Sequence, residues 1–234
     1  MTKLLSIGKD AKTIKGQKYG YLTGVLYLAP HWLSGYLVCP SASPGCIEAC
    51  LFTAGRGGMQ TAINGRIRKT RLLFEDRETF LLQLQRDIEA LIRKANRENL
   101  IPLVRLNGTS DLAWEKIKIN GLSLMELFPE VQFYDYTKIR ARAVKFARGN
   151  MPANYSLVFS LTESNDVDAR KVLALGAPVA AVFYGALPDT FLGAPVINGD
   201  ELDARVENMA AVVVGLSAKG RAKYDNTGFV RYAS

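Results

Sequence analysis

All three cysteines of the chain lie in one short segment, residues 38–58, which we name the cysteine loop. They are Cys39, Cys46 and Cys50, with the spacing C-x6-C-x3-C. Thiolates are soft ligands that favour zinc, copper(I) or iron–sulfur clusters. A closed structural zinc site takes four protein ligands. Three thiolates therefore predict a metal centre with one open coordination position.

Three interpretations of the cysteines stay open at this point. They could hold an iron–sulfur cluster, hold zinc with a fourth ligand, or be small buried hydrophobic residues. The chain has a single histidine, His31, shortly before the loop, and it is the first candidate for a fourth zinc ligand. The Pro44-Gly45 pair favours the tight turn that would bring Cys39 and Cys46 together.

The second half of the chain repeats one pattern, in which an apolar run of strand length ends in a polar cluster. Together with a first strand at 21–29, this pattern predicts seven strands alternating with helices, which is typical of a parallel sheet buried on both faces. Such sheets carry their active sites at the carboxyl ends of the strands. We therefore expect the polar clusters along one rim, beside the cysteine loop. They are residues 107–111, 135–138, 160–165, 198–200 and 217–219.

The fold class that follows is α/β, with a partial or complete parallel (β/α) barrel. No internal repeat or linker divides the chain, so residues 1–234 are interpreted as one domain. The polar, lysine-rich residues 1–20 are predicted to form a loosely ordered lead-in. Asp76 is predicted to cap a long amphipathic helix, and Asn165 to cap a helix over 166–175.

Four side chains on the predicted rim are candidates for direct chemistry. Asp135 and Lys138 are predicted to be catalytic, since both follow a buried strand at its carboxyl end. Arg56 and Lys219 lie in loops beside the site and are predicted to bind an anionic substrate. The basic residues 138–148, by contrast, are interpreted as the solvated face of a helix.

Composition limits the classes of protein to consider. The 234 residues carry 30 Lys and Arg against 22 Asp and Glu, a formal charge of +8, which is compatible with nucleic acid or nucleotide phosphates as partners. No apolar run reaches the ~20 residues of a membrane helix, and the start of the chain lacks the apolar stretch of a signal peptide. With an odd number of cysteines, a disulfide framework is disfavoured, and a reducing cytoplasm is expected.

Several motifs together resemble the gene-product-88-like proteins of phages and plasmids, which places the protein in the cytoplasm of a bacterial host. They are CPSASPGCIEACLFTAGRG, VRLNGTSD, FYDYTK and VGLSAKG, with GKDAKTIKG near the start. Three cysteines after the first strand of an α/β barrel are also distantly similar to the radical S-adenosylmethionine (SAM) enzymes.

The radical SAM resemblance implies roles for the rim residues. Cys39, Cys46 and Cys50 would ligate a [4Fe–4S] cluster whose fourth iron binds SAM. The side chains of Asn107, Thr109, Ser110 and Asp111 would approach the methionine part of SAM. Those of Ser160, Glu163 and Asn165 would face its ribose.

Three functional hypotheses follow from these observations. The first is an iron–sulfur enzyme that modifies a nucleotide or nucleic acid, with a small-molecule or nucleotide substrate. The second is a non-catalytic phage or plasmid protein that binds nucleic acid and contains a structural metal, zinc being the alternative to a cluster. The third is a metal-dependent enzyme without radical chemistry. The sequence leaves the oligomeric state open.

Overall fold

The computed structural model describes residues 3–8, 11–201 and 211–233, and within them a ten-stranded sheet runs through the protein. A separate two-stranded hairpin lies beside the sheet. The strands are β1 (Leu5–Ile7), β2 (Tyr21–Leu26), β3 (Ile101–Arg105), β4 (Lys118–Ile119), β5 (Leu122–Ser123), β6 (Gln132–Thr137), β7 (Tyr155–Ser160), β8 (Val179–Phe183), β9 (Thr190–Phe191), β10 (Ala194–Asn198), β11 (Val213–Ser217) and β12 (Val230–Arg231).

Seven α-helices connect these strands in the described residues. They are α1 (Ala11–Gln17), α2 (Pro44–Glu48), α3 (Gln60–Glu75), α4 (Arg77–Arg97), α5 (Leu124–Leu127), α6 (Arg140–Ala147) and α7 (Asp166–Ala174). Short 3-10 helices cover Leu51–Thr53, Gly55–Gly58, Trp114–Lys116 and Gly220–Tyr224. No helix in these ranges is both long and apolar enough to cross a membrane.

The large sheet is mostly parallel, as the sequence predicts. Its order is β1-β2-β3-β6-β7-β8-β11-β10-β9, and every pair from β2 to β10 is parallel. Antiparallel pairing is confined to its two ends, β1 on β2 and β9 on β10. Since the described pairings do not join β9 to β1, the structure shows an α/β fold with a mostly parallel sheet and no closed barrel.

One face of the sheet is covered by helices. The apolar stripe of α4, including Leu84 and Ile88, packs on Val104 of β3 and Phe133 of β6 in the main core. The helical periodicity of residues 80–92 thus predicted its buried side correctly, and Asp76 caps α4 by accepting a hydrogen bond from Thr79 N at 3.1 Å. Each large apolar side chain buried here contributes roughly 1.5–3 kcal/mol to folding.

The opposite face of the sheet is buried by side chains that pack along the sheet itself. Leu103 and Tyr134 form one cluster with Tyr21, and Val158, Ala180 and Val214 form another. Burial on both faces explains why the strands read as continuous apolar runs rather than alternating ones.

The N-terminal segment differs from the loosely ordered lead-in that we expected. Its described residues contain helix α1 and strand β1. The strand pairs with β2 at the positions Leu5–Leu26 and Ile7–Gly24. The carboxylate of the buried Asp87 on α4 accepts hydrogen bonds from the N–H groups of Leu4 and Leu5 at 2.5 and 3.0 Å. These long-range contacts order a segment whose composition alone favours a loop.

Strand β12 brings the last part of the chain to the carboxyl end of the sheet. β8 pairs with β7 only at Val179 and Ala180, and with β12 at Val182 and Phe183. Because β11 occupies the other side of β8, β12 lies on the side of β7. The segment before β12 thereby meets the cysteine loop.

Candidate functional site

The predicted polar clusters lie along the side of the sheet where its parallel strands have their carboxyl ends, which we call the carboxyl edge. They share this side because β3, β6, β7, β10 and β11 all run in the same direction. The cysteine loop packs at this carboxyl edge. Cys46 and the buried Ala49 contact Phe229 and Val230 of the C-terminal segment. This part of the expected arrangement is confirmed.

Glu163, just after β7, fastens the cysteine loop to the edge. Its carboxylate accepts a hydrogen bond from Ser43 Oγ at 2.6 Å and from Gly45 N at 2.9 Å. Burial by itself would raise the pKa of Glu163, but the hydrogen bonds from Ser43 and Gly45 outweigh it and lower the pKa. Ser43 in turn caps α2 by accepting from Cys46 N at 3.2 Å. Glu163 thus has a structural task in the described fold, and its predicted contact with a ribose stays a prediction.

The three cysteines are free thiols in different surroundings. Cys39 Sγ accepts from the backbone N–H of His31 at 3.4 Å and lies 3.8 Å from Thr109 O. Burial raises the pKa of Cys39 to about 11, and burial also raises the pKa of Cys50. Cys46 lies near the side chain of Lys138 and raises its pKa.

The predicted metal centre is therefore wrong for this arrangement. Across residues 3–8, 11–201 and 211–233, no three His, Cys, Asp or Glu side chains come together in a way that could hold a metal ion. His31 contacts Cys39 through its main chain. The predictions of a [4Fe–4S] cluster, of SAM bound to it and of zinc are corrected accordingly.

Lys138 lies in the middle of the carboxyl edge. Its backbone N–H donates to Asp111 Oδ2 at 2.7 Å, which ties the end of β6 to the loop after β3. Its ammonium nitrogen lies 5.9 Å from the centre of the Phe229 ring. Burial would lower the pKa of Lys138, but Cys46 and Asp111 outweigh burial and raise it. The side chain is therefore charged at neutral pH.

A buried ionic network around Arg142 holds Asp111, the residue that binds the backbone of Lys138. Arg142 on α6 is 3% exposed; it donates to Asp111 Oδ1 at 2.9 Å and to Glu115 Oε2 at 3.0 Å. The same guanidinium also donates to the hydroxyl of Tyr155 at 2.8 Å. The interpretation of Arg142 as part of a solvated helix face is wrong, because residues on two other elements supply its partners.

Asp135 is buried on the helix-covered side of β6, the side that carries Phe133. It accepts from Asn107 N at 2.7 Å and from the hydroxyl of Tyr155 at 2.8 Å. Burial raises the pKa of Asp135 to about 7, against the opposing effects of the Asn107 N–H and the Arg142 charge. A carboxyl group 1% exposed holds the loop after β3 in place, and its catalytic role stays a prediction.

The side chains expected to contact SAM after β3 make hydrogen bonds within the protein. Asn107 Oδ1 accepts from Ser110 Oγ at 2.8 Å and from the Trp114 ring N–H at 3.2 Å. Thr109 Oγ1 donates to Leu28 O at 2.6 Å, which joins this loop to the end of β2.

At the end of β7 the polar residues also form a local turn. Asn165 Oδ1 accepts from Thr162 N at 2.7 Å, and its amide donates to Ser160 O at 3.1 Å. The helix α7 begins here as predicted, but the side chain of Asn165 closes this turn and makes no capping hydrogen bond to the helix.

The two predicted anion-binding residues differ in availability. Arg56 lies exposed in the 3-10 turn Gly55–Gly58. Lys219 is paired with Asp200 at 2.5 Å, and Asp200 also accepts from Ser217 N at 2.9 Å. A phosphate would have to compete with Asp200 for Lys219, so Arg56 is the more accessible cation.

Sequence reasoning missed Arg142, Phe229 and Tyr224 as members or neighbours of this edge. Arg142 carried a signal, since it follows a predicted strand by a few residues in the first turn of a helix. Phe229 had none, because its place depends on β12 entering the sheet beside β8. Tyr224 follows the basic residues Lys219, Arg221 and Lys223, and no role was predicted for it.

Comparison with known proteins places the chain in a family. Neither a curated protein nor a solved structure matches it. The model of the family named Gene product 88 matches residues 3–233, nearly the whole chain, and the protein therefore belongs to the Gene product 88 family.

Proposed function

We propose that this protein binds the phosphate groups of a nucleotide or a nucleic acid at the carboxyl edge of its parallel sheet, with Lys138 at the centre. The observation that carries the proposal is the half-buried, charged ammonium of Lys138 at that edge. Its backbone is held by Asp111, and its charge is retained despite burial. Ligands of open parallel sheets bind outside the carboxyl ends of the strands.

No carboxylate of the described residues forms a salt bridge with the ammonium of Lys138, although Cys46 and Asp111 raise its pKa. Cys39 and Cys50 are neutral thiols at pH 7 because burial raises their pKa. The two oxygens of Asp111 are already engaged, one by Arg142 and the other by the Lys138 N–H. An anion arriving at the edge therefore meets a cation in surroundings of low polarity, where charge-assisted hydrogen bonds are strong.

The charge of the whole chain supports the same ligand class. The formal net charge is +8, and exposed Arg56 and Arg221 lie in the segments that flank Lys138, on the cysteine loop and before β12. A positive surface raises the local concentration of polyanions and speeds their association.

Binding of a short fluorescein-labelled oligonucleotide at low salt, followed by fluorescence anisotropy, tests this proposal. Lys138→Met keeps the length of the side chain and removes the charge, and we expect affinity to fall roughly tenfold or more, as for loss of a charged hydrogen bond. Lys145→Met on the exposed side of α6 is the matched control and removes the same charge. Equal losses in both variants, or no binding by the unchanged protein, would contradict the proposal.

A further inference from the structure

An open cleft lies beside the carboxyl edge, between the cysteine loop and the 3-10 helix Gly220–Tyr224. Its volume is about 520 Å³, and Phe52, Ile63, Arg221 and Tyr224 are among the side chains that line it. Small-molecule sites commonly have volumes of roughly 300–1,000 Å³, so the cleft can take one or two nucleotide units.

The two walls of the cleft meet at its base. Gly220 has a φ of +58°, and a Cβ atom there would lie 3.1 Å from the Cβ of Ala54. Arg66 on α3 holds the other wall, since its guanidinium donates to Gly57 O at 3.3 Å and stacks over the Tyr27 ring at 5.4 Å. The cleft is therefore a preformed part of the fold rather than a gap between independent loops.

An exposed aromatic ring and a cation stand together on one wall. The side chain of Tyr224 is 86% exposed, and Arg221, one helical turn earlier, is exposed as well. Tyr232, the other strongly exposed tyrosine near the C-terminus, is different, because its ring is stacked on Tyr184 at 4.8 Å. A single exposed side chain is ordinary, whereas exposed apolar surface that lines a concavity marks a binding site.

We infer that this cleft binds single-stranded nucleic acid, with one base stacked on Tyr224 and the adjoining phosphate against Arg221. The inference rests on the proposed function and names its ligand class. Bases of a single strand can leave the stack and lie on an aromatic side chain, while a duplex keeps its bases paired inside. The apolar side chains of Phe52 and Ile63 complement a flat base, and Arg221 complements the phosphate.

The test compares two single strands of equal length and charge, oligothymidylate and an abasic oligodeoxyribonucleotide, by fluorescence anisotropy. Base stacking on an aromatic residue is worth about 1–3 kcal/mol. Tyr224→Ala should therefore weaken oligothymidylate binding by roughly 5- to 160-fold and leave abasic binding unchanged, whereas Tyr224→Phe should retain affinity. Tyr232→Ala, the matched control, should change neither.

The outcomes separate this inference from the proposal beneath it. If wild-type protein binds both strands and Tyr224→Ala changes both equally or neither, base stacking is refuted while phosphate binding at the edge stands. Tighter binding of duplex than of single strand would likewise overturn the inference. If neither strand binds the wild-type protein at low salt, the proposed function fails together with it.

Discussion

At the scale of single residues, the buried charges define the candidate site more than the cysteines do. Asp111 links the backbone N–H of Lys138 to the guanidinium of Arg142, so the three residues form one connected set. Unpaired charges are expensive to bury, and paired ones are fixed in place by their hydrogen bonds. The set fixes the backbone of Lys138 at the edge, where its side chain is half-buried.

Asp135 gives the protein a pH-dependent stability. Its pKa is raised to about 7 in the folded chain, above the ~3.9 of an unfolded aspartate, so folding favours its protonated form. The resulting stability is present in acid and is lost as the pH rises through about 7. Through this group, the free energy of unfolding should fall by on the order of 3 kcal/mol between about pH 5 and about pH 8, and Asp135→Asn should remove this fall.

Urea unfolding of both proteins at these two pH values measures this difference. Asp189→Asn, at an exposed aspartate, serves as the control and should follow the wild type. If Asp135→Asn also follows the wild type at both pH values, Asp135 does not titrate in this range.

The Arg142 network predicts a second effect on stability. Arg142→Met leaves the carboxylates of Asp111 and Glu115 without their shared cation, and breaking such a buried pair costs about 3–5 kcal/mol. Lys145→Met on the same helix should change the unfolding free energy by less than about 0.5 kcal/mol, because that side chain is exposed. Similar midpoints of chemical unfolding for the two variants would contradict the burial of Arg142.

At the scale of elements, the cysteine loop, the end of β7 and the segment before β12 form one packed unit. Glu163 reaches Ser43 and Gly45 across this junction, while Phe229 packs on Cys46 and Ala49. None of the three segments could form this unit alone, since the hydrogen-bond acceptor, donor and apolar surface come from different parts of the chain.

Gly45 tests how closely these elements approach. A Cβ atom at this position would lie 2.3 Å from Thr227 Oγ1 and 2.9 Å from the Cβ of Phe229. Gly45→Ala should therefore displace the cysteine loop from its packed position and destabilise the protein by roughly 1–3 kcal/mol.

Gly65→Ala is the matched control for this prediction. Gly65 lies within α3, where an added Cβ meets nothing closer than 3.9 Å, so the change should be neutral or slightly stabilising. Thermal unfolding compares the two variants. A Gly45→Ala protein as stable as the wild type would show that the loop does not pack in this way.

At the scale of the whole molecule, the sheet separates two ends with different tasks. Its amino ends receive the C-terminal end of α4, while its carboxyl ends gather the cysteine loop, Lys138 and the cleft with Tyr224. The cations that we expect to contact an anionic ligand, Lys138 and Arg221, therefore lie on one side of the molecule.

The dependence of binding on salt measures that localisation. For single strands, log affinity decreases with log salt, and this negative slope becomes shallower by about 0.7 for each phosphate contact that is lost. Lys138→Met and Arg221→Met should each reduce the magnitude of the slope by about this amount. Arg93→Met should not, since Arg93 is exposed late in α4, at the opposite edge of the sheet. Equal slopes in all three variants would indicate a diffuse surface.

The sequence by itself determined the parallel strands, their common carboxyl edge and the long helix α4. These features depend on local periodicity, because an apolar run reports burial of a strand and a 3.6-residue rhythm reports one buried helix face. The family resemblance of nearly the whole chain was likewise carried by linear motifs, and the family match over residues 3–233 confirms it.

Only the tertiary structure decided how the chemically active side chains meet. Three cysteines close in sequence do not form a metal-binding group in the described residues, because Cys39 is held by His31 and the loop after β3 while Cys46 packs with Phe229 and Val230. Arg142 is buried, since its partners come from segments about thirty residues away in the chain. Local pattern carries no information on such distances, and the packing of distant elements supplies it.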